Sequence, residues 1–200
     1  MVEAARRRAA ELGVENAEFM VADATAIPLA DASLDGVLCR FGLMLVVDVE
    51  TAFAEVARVL RPDGRAAIAV WAEPEHNDWI TAGGRAALEL GLIERPDPDA
   101  PGPFRLADPA RLRSLVEGAG LTVQTLEDAP VTWRADSLEE WWESSLDMSR
   151  MLALLREKID AGQLEALRAG AVSRLAEHVE ADGSVVVPGL ARVLLVVRPS

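Results

Sequence analysis

The sequence predicts an α/β protein with a Rossmann-like, doubly wound and mostly parallel sheet. Its 200 residues, 50% of them hydrophobic, can bury one core. In the first half, short continuous apolar runs alternate with amphipathic helical patterns, which is typical of strands buried on both faces of a parallel sheet. We therefore expect one domain over residues 1–200, with a helical insertion before the last strand.

The first 75 residues alternate between helical and strand-like segments. Phe53, Val56 and Leu60 recur at helical spacing, and Asp48 is a suitable N-cap in front of them. Gly13 can end the first helix in a left-handed conformation. The predicted elements are a helix over Glu3–Leu12, strands over Glu18–Val21 and Val37–Cys39, a helix over Val49–Leu60, a turn over Arg61–Gly64 and a strand over Arg65–Trp71.

The second half is richer in helical pattern. Asp108 followed by Pro109 predicts a helix start, and Ser137 with Glu140 predicts a capping box. The predicted elements are a surface loop over Glu94–Pro103, a helix after Asp108 with Leu112, Leu115, Val116 and Ala119 facing inward, a strand over 121–134, helices after Ser137 with breaks at Gly162 and Gly170, and a final strand over Ala191–Pro199.

Composition excludes several classes of protein. The net charge of −13 repels phosphate backbones and anionic lipid surfaces, which argues against nucleic-acid and membrane partners. The single cysteine, Cys39, forbids an intrachain disulfide, and no Cys/His cluster suggests a metal site. No apolar stretch is long enough to span a membrane, and the amino end lacks an apolar signal core. A cytoplasmic, bacterial protein is expected.

Two acids mark the ends of predicted strands. Ligands bind at the carboxyl ends of strands in open parallel sheets, so Asp23, directly after an apolar run, can accept hydrogen bonds from a ligand. The next backbone N–H, from Ala24, can reach a ring nitrogen. Arg40 and Phe41 follow the next strand and would form the other rim. Asp35 precedes its strand and is expected to cap a turn.

A longer stretch resembles a known family. Asp23-Ala24, the spacing Ile27-Pro28-Leu29 to Asp31, Ser33 and Asp35, "CRFGLM" and "EVARVLRPDGR" look like class I S-adenosylmethionine-dependent methyltransferases of the branch that includes ubiquinone/menaquinone C-methyltransferases. The resemblance implies S-adenosylmethionine as cofactor and a small organic acceptor. It also implies that Asp23 binds the adenine amine, that Ala24 offers its backbone to the ring, and that Cys39, Arg40 and Phe41 lie beside the methionine part.

The family's glycine-rich loop and its acid-tipped second strand have no counterpart in this sequence, which therefore resembles an amino-terminally shortened methyltransferase. In the family's strand order, 3-2-1-4-5-7-6, the missing pair separates the strands predicted at 18–21 and 37–39. These two strands either meet directly or leave open edges that favour homo-oligomers. Residues 1–75 would form a partial cofactor-binding half, and residues 76–200 would supply substrate-side helices and carboxyl-terminal antiparallel strands.

The resemblance also suggests residues that would line a pocket for the methyl acceptor. By family analogy, Trp71, His76, Trp79 and Trp141 are candidates for lining the acceptor pocket. Methyl transfer from a sulfonium needs positioning more than side-chain chemistry, so no catalytic residue is predicted.

Each candidate also has a structural interpretation. Asp23 can begin an Asx-turn, Arg40 can form a surface ion pair, and Cys39 can be a small core residue. His76 can lie in a solvated loop, and Trp141 with Trp142 can serve ordinary helix packing.

Three functions are therefore compared. The first is a small-molecule methyltransferase, and the second is a non-catalytic remnant that acts at most in assembly. The third, a nicotinamide-dependent dehydrogenase, needs a G-x-G-x-x-G loop and a Tyr-x-x-x-Lys pair, and this sequence has neither.

Overall fold

A computed structural model describes all residues from Met1 to Ser200. Seven α-helices and four β-strands make up the fold, joined by three short 3₁₀ segments. In chain order they are α1 (Val2–Glu11), β1 (Leu34–Arg40), α2 (Val49–Val59), β2 (Leu60–Trp71), α3 (Asp78–Glu89), α4 (Pro109–Gly118), β3 (Thr122–Ala135), α5 (Leu138–Met148), α6 (Arg150–Lys158), α7 (Ala161–Ser173) and β4 (Val185–Val197), with 3₁₀ turns at Leu43–Leu45, Pro74–His76 and Ala176–His178.

The four strands form one sheet in the order β1-β2-β4-β3. β1 pairs with β2 in parallel, whereas β4 runs antiparallel to both of its neighbours. Three of the four strands therefore point the same way. This order is the 4-5-7-6 portion of the strand order that the resemblance implies, so the predicted mostly parallel α/β fold is confirmed.

Apolar clusters form on both faces of the sheet. The first lies between the sheet and α2 and α4, with Phe53, Ile68 and Leu194 fully buried. The second joins α3, α5, α6 and α7 to Val185 and Val187 of β4. Because side chains alternate along a strand, Val187 and Leu194 face opposite sides, which is the doubly wound arrangement.

Local sequence signals placed two helix starts correctly. The Asp48 side chain accepts a hydrogen bond from the backbone N–H of Thr51 at 3.0 Å, at the start of α2. The Asp108 side chain accepts one from Ala110 N–H at 2.9 Å, at the start of α4. On α4 the predicted inward stripe is confirmed, since Leu112 and Val116 are fully buried.

The prediction of helix breaks at Gly162 and Gly170 is wrong. Both glycines lie inside α7. The helices are instead divided by N-caps at Ser149 and Asp160, and Asp160 forms a complete capping box with Gln163. Gly170 serves packing, because a Cβ there would lie 3.3 Å from the Ala86 Cβ on α3.

The turn predicted at Arg61–Gly64 is an excursion within β2. Leu34 pairs with Leu60, but Gly36 pairs with Arg65, so four residues of β2 loop out of the ladder. Asp35 lies at the amino end of β1, as expected, but it does not cap a turn. Its carboxylate forms an ion pair with Arg61 at 2.5 Å.

The strand predicted over Glu18–Val21 does not form, and the segment is irregular. Met20 is 48% exposed and Val21 87% exposed. A strand needs a neighbour to satisfy its backbone groups, and no strand of this sheet pairs with these residues. Asp23 therefore does not follow a strand, and the prediction that it lies at the carboxyl end of a parallel strand is wrong.

β1 is an edge strand whose outer side has no partner in the sheet. Of the two outcomes predicted for this edge, the open one is observed, and Leu38 is 88% exposed there. None of the seven helices combines the length and apolar character needed to cross a bilayer.

Candidate functional site

The carboxyl ends of β1 and β2 form the candidate site. The two strands are parallel, so their last residues, Arg40 and Trp71, lie at the same end of the sheet. Phe41, the next residue after β1, has a φ of 58°, in the left-handed region. Its backbone N–H donates to the Ala69 carbonyl at 2.9 Å, and its ring stacks on Trp71 with centroids 3.9 Å apart and planes 7° apart.

Three tryptophans continue from Phe41 in an aromatic row, which we define as Phe41, Trp71, Trp79 and Trp133. Trp71 meets Trp79 edge to face at 5.2 Å, and Trp79 stacks on Trp133 at 4.8 Å with planes 4° apart. Phe41 and Trp71 pack against the first apolar cluster, and the other two pack against the second. The row therefore joins the two clusters near the carboxyl ends of β1 and β2.

Trp141 contacts this row through the backbone of Trp79. Its side chain is fully buried, and its indole N–H donates to the Trp79 carbonyl at 3.2 Å. It presents no open surface, so the helix-packing interpretation is confirmed for this tryptophan. His76 is exposed in the 3₁₀ turn after β2, and its backbone N–H donates to Glu73.

Asp23 begins an Asx-turn. One of its carboxylate oxygens, Oδ1, accepts hydrogen bonds from the Thr25 backbone N–H at 2.9 Å and from the Thr25 hydroxyl at 2.8 Å. These two bonds, the backbone one first, lower the pKa of Asp23 below its ordinary value, so the carboxylate is ionised. Oδ2 has no partner in the chain and can accept a further bond.

Ala24 connects this turn to the sheet edge. It is half-buried and packs against the same cluster as Cys39, Phe41 and Trp71. Its backbone N–H donates to no acceptor in the chain. The structure thus brings Ala24, Cys39 and Phe41 to one cluster, with the Asp23 carboxylate one residue away.

Two residues that sequence reasoning missed fix the position of the segment that follows Asp23 and Ala24, at residues 27–29. Glu55 and Arg58 on α2 form an ion pair at 2.6 Å. Glu55 accepts from the Ile27 N–H at 2.7 Å, while Arg58 donates to the carbonyls of Ile27 and Leu29, each at 2.8 Å. Their acid-arginine spacing on a helix is the only signal the sequence offers for this clamp.

The contacts of this ion pair also lower the pKa of Glu55. Hydrogen bonds from Arg58 and from the Ile27 N–H lower the pKa of Glu55 from 4.5 to about 2. The carboxylate therefore stays ionised, and the clamp intact, across the neutral range.

A third residue that sequence reasoning missed is Arg192 on β4. It is 8% exposed and forms ion pairs with Glu73 at 2.7 Å and Asp128 at 3.0 Å. The hydrogen bond from Arg192 lowers the pKa of Glu73. Since Glu73 lies two residues after Trp71, Arg192 anchors the loop that follows β2. The negative charge of Glu73 is balanced by Arg192.

The remaining candidates are less constrained. Arg40 is exposed and makes no ion pair, so the predicted surface pairing is absent. Cys39 is half-buried and free, and a Cβ at Gly42 would approach its Sγ to 3.1 Å.

The donor and acceptor set fits an adenine nucleoside. Asp23 offers a free carboxylate oxygen and Ala24 an adjacent free N–H. A neighbouring acceptor and donor of this kind match the exocyclic amine and an adjacent ring nitrogen of adenine. Arg40 adds an unpaired cation that can meet a ligand carboxylate.

Comparison with known proteins supports the resemblance. Residues 1–68 match the family described as "Methyltransferase domain". Over 65 residues the chain is 46% identical to the uncharacterized methyltransferase YcgJ of Bacillus subtilis (strain 168), covering 32% of this chain and 26% of that protein. Over 74 residues it is 43% identical to a demethylmenaquinone methyltransferase of Clavibacter sepedonicus, covering 37% of this chain and 29% of that protein.

The matching segment thus spans between a quarter and a third of these curated relatives. The fold is matched more widely. The crystal structure of YcgJ from Bacillus subtilis superposes with a TM-score of 0.58 and 20% identity, covering 100% of this chain and 79% of that one. Over residues 1–68, the resemblance expected from the motifs, to class I S-adenosylmethionine-dependent methyltransferases of the branch that includes ubiquinone/menaquinone C-methyltransferases, is confirmed.

Proposed function

With that resemblance as the premise, we propose that this chain carries part of an S-adenosylmethionine-dependent methyltransferase acting on a small organic acceptor in the cytoplasm. The observation that carries the proposal is a free acceptor and a free donor on consecutive residues, Asp23 Oδ2 and the Ala24 N–H, with Ala24 packed against the same apolar cluster as Phe41 and Trp71.

Each residue has a distinct task. Asp23 would accept from the adenine amine, Ala24 would donate to the ring, and Arg40 would pair with the carboxylate of the cofactor's methionine part. S-adenosylmethionine, when bound, supplies a methyl group on a positively charged sulfur that is also the leaving group. The protein's remaining work is to hold the acceptor in line and to exclude water, so no general base is assigned.

The acceptor would lie on the side of Trp71 and Trp79, with His76 at the exposed margin. Trp71 and Trp79 are both half-buried, which suits an acceptor with apolar surface. The demethylmenaquinone methyltransferase is similar only over part of its length, so the acceptor of the present chain is proposed only as a small organic molecule.

A binding measurement with a matched control tests the proposal. Asp182 makes the same kind of turn as Asp23, accepting from Ser184 N–H at 3.0 Å and from its hydroxyl at 2.6 Å, but it lies just before β4. We expect Asp23→Ala to weaken S-adenosylhomocysteine binding about tenfold or more in calorimetry, the loss typical of a hydrogen bond to a charged group. Asp182→Ala should leave the affinity unchanged.

Two results would contradict the proposal. Equal affinities for the wild type and Asp23→Ala would remove Asp23 from the site. Absence of binding at millimolar ligand would favour the second candidate, a non-catalytic assembly module.

The second candidate also has a supporting observation, the unpaired outer edge of β1 with Leu38 88% exposed. If this edge mediates homo-oligomers, Leu38→Lys should shift the chain to monomer in sedimentation. A wild-type chain that is already monomeric would dismiss the assembly role.

A further inference from the structure

The aromatic row ends in Phe41, directly after β1, and in Trp133 on β3. Phe41 stacks on Trp71 through one face and makes no second ring contact, so the other face of this half-buried ring has no aromatic partner. Both terminal rings are partly buried against an apolar cluster, Phe41 against the first and Trp133 against the second. Of the two, Phe41 is the one that directly follows Cys39 and Arg40 in the sequence.

We propose that the outer face of Phe41 recognises the positive charge of the methyl donor and so distinguishes S-adenosylmethionine from its neutral product, S-adenosylhomocysteine. This inference rests on the proposed function. The face of an aromatic ring carries partial negative charge and attracts a cation within about 6 Å of its centroid. A charge-selective contact of this kind would favour exchange of product for fresh donor.

The geometry holds the Phe41 ring in place before any ligand arrives. A φ of 58° is unfavourable for a residue with a Cβ, and the N–H bond to Ala69 and the stack on Trp71 stabilise it. Trp71 is in turn held by Trp79. Trp71 is therefore a positioning residue, and the ring loses little side-chain freedom on binding.

Glu73 and Arg40 do not compete with the ring for a positive charge. Glu73, the carboxylate nearest in sequence to Trp71, is paired with Arg192. Asp23 is expected at the adenine end of the ligand, and Arg40 is a cation that cannot attract a sulfonium. The face of Phe41 is one group at this end of the sheet that is suited to a positive sulfur.

The test compares affinities for donor and product in wild type and Phe41→Leu. Leu keeps apolar volume but has no π face, so donor affinity should fall about 2- to 30-fold while product affinity stays within about twofold. Phe104→Leu is the matched control, because Phe104 is half-buried and belongs to no ring pair, and it should change neither affinity. Calorimetry gives all six dissociation constants without reference to turnover.

A second variant keeps the test decisive if Phe41→Leu fails to fold. Phe41→Trp keeps a π face and should preserve or increase the preference for donor. Equal losses of donor and product in Phe41→Leu, or a lost preference in Phe41→Trp, would overturn the inference while leaving the proposed function intact. A wild type that binds neither ligand would overturn both.

Discussion

Residues 1–42 and the helices of the second cluster differ in how firmly packing holds them. None of the first 42 residues is buried, and α1 contributes no residue to either apolar cluster. The second cluster, built from α3, α5, α6 and α7 on β4, buries Trp141 completely. Yet residues 1–68 carry the family match, and the second cluster lies wholly outside it.

This contrast shows that the motif around Asp23 is not specified by core packing. The segment is held by an Asx-turn and by the Glu55–Arg58 clamp, both of which are polar. Ligand-binding segments are drawn from the less stable parts of proteins, because binding requires accessible groups. The first apolar cluster and the sheet would then support a segment that polar contacts hold in place.

The largest expected effect comes from the second cluster. Trp141→Ala should lower the free energy of unfolding by about 3–5 kcal/mol, because it removes a fully buried indole and its bond to Trp79. Urea denaturation measures the change. Val21→Ala, in the exposed segment, should stay within about 0.5 kcal/mol of wild type. Similar losses in the two variants would abolish the contrast.

A smaller effect is expected where β4 approaches α3. A Cβ on Gly189 would lie 2.9 Å from Asn77 Oδ1 and 3.0 Å from Trp79 Nε1, so Gly189→Ala should cost about 1–3 kcal/mol. Thermal unfolding at fixed pH reports it. Gly118→Ala is the control, since no atom lies within 4 Å of its Cβ position. A Gly189→Ala variant as stable as this control would show that the contact is loose.

The clamp on the first half should show itself in acid. The folded pKa of Glu55 is about 2 against an ordinary 4.5, so its carboxylate stabilises the fold above pH 4.5, and this contribution is lost as the pH falls towards 2. Glu55→Gln should therefore be less stable than wild type at pH 7, with a difference that shrinks below pH 4.5. Chemical denaturation between pH 7 and 3 measures it.

Glu117→Gln, at an exposed site on α4 without an ion pair, serves as the control for this pH series. It should follow the wild type throughout. If the difference in unfolding free energy between Glu55→Gln and wild type stays constant with pH, the clamp stabilises the fold through packing and not through the charge of the Glu55 carboxylate.

Elements with local signals were predictable from the sequence. Asp48 and Asp108 mark helix starts by their side-chain chemistry, and the apolar stripe of α4 follows helical spacing. The strand order came from the resemblance, and the sheet confirms its 4-5-7-6 portion. These features depend on neighbours in sequence or on a whole motif.

Features that depend on distant partners were missed. The apolar run at Glu18–Val21 has strand character but no strand to pair with, so it stays irregular. The clamp joins Glu55 to Ile27, and Arg192 reaches Glu73 across 119 positions. The row from Phe41 to Trp133 likewise joins separate elements, so no local pattern indicates it.

Amide hydrogen exchange, with and without S-adenosylmethionine, tests the central claim most directly. Without ligand, the amides of residues 14–33 should exchange fastest and those of α5 to α7 slowly. With ligand, protection should rise in residues 21–27 and 39–43 and stay unchanged in α5 to α7. Saturating ligand that leaves both segments unprotected, or that protects only the helical cluster, would contradict a cofactor site at Asp23, Ala24 and Phe41.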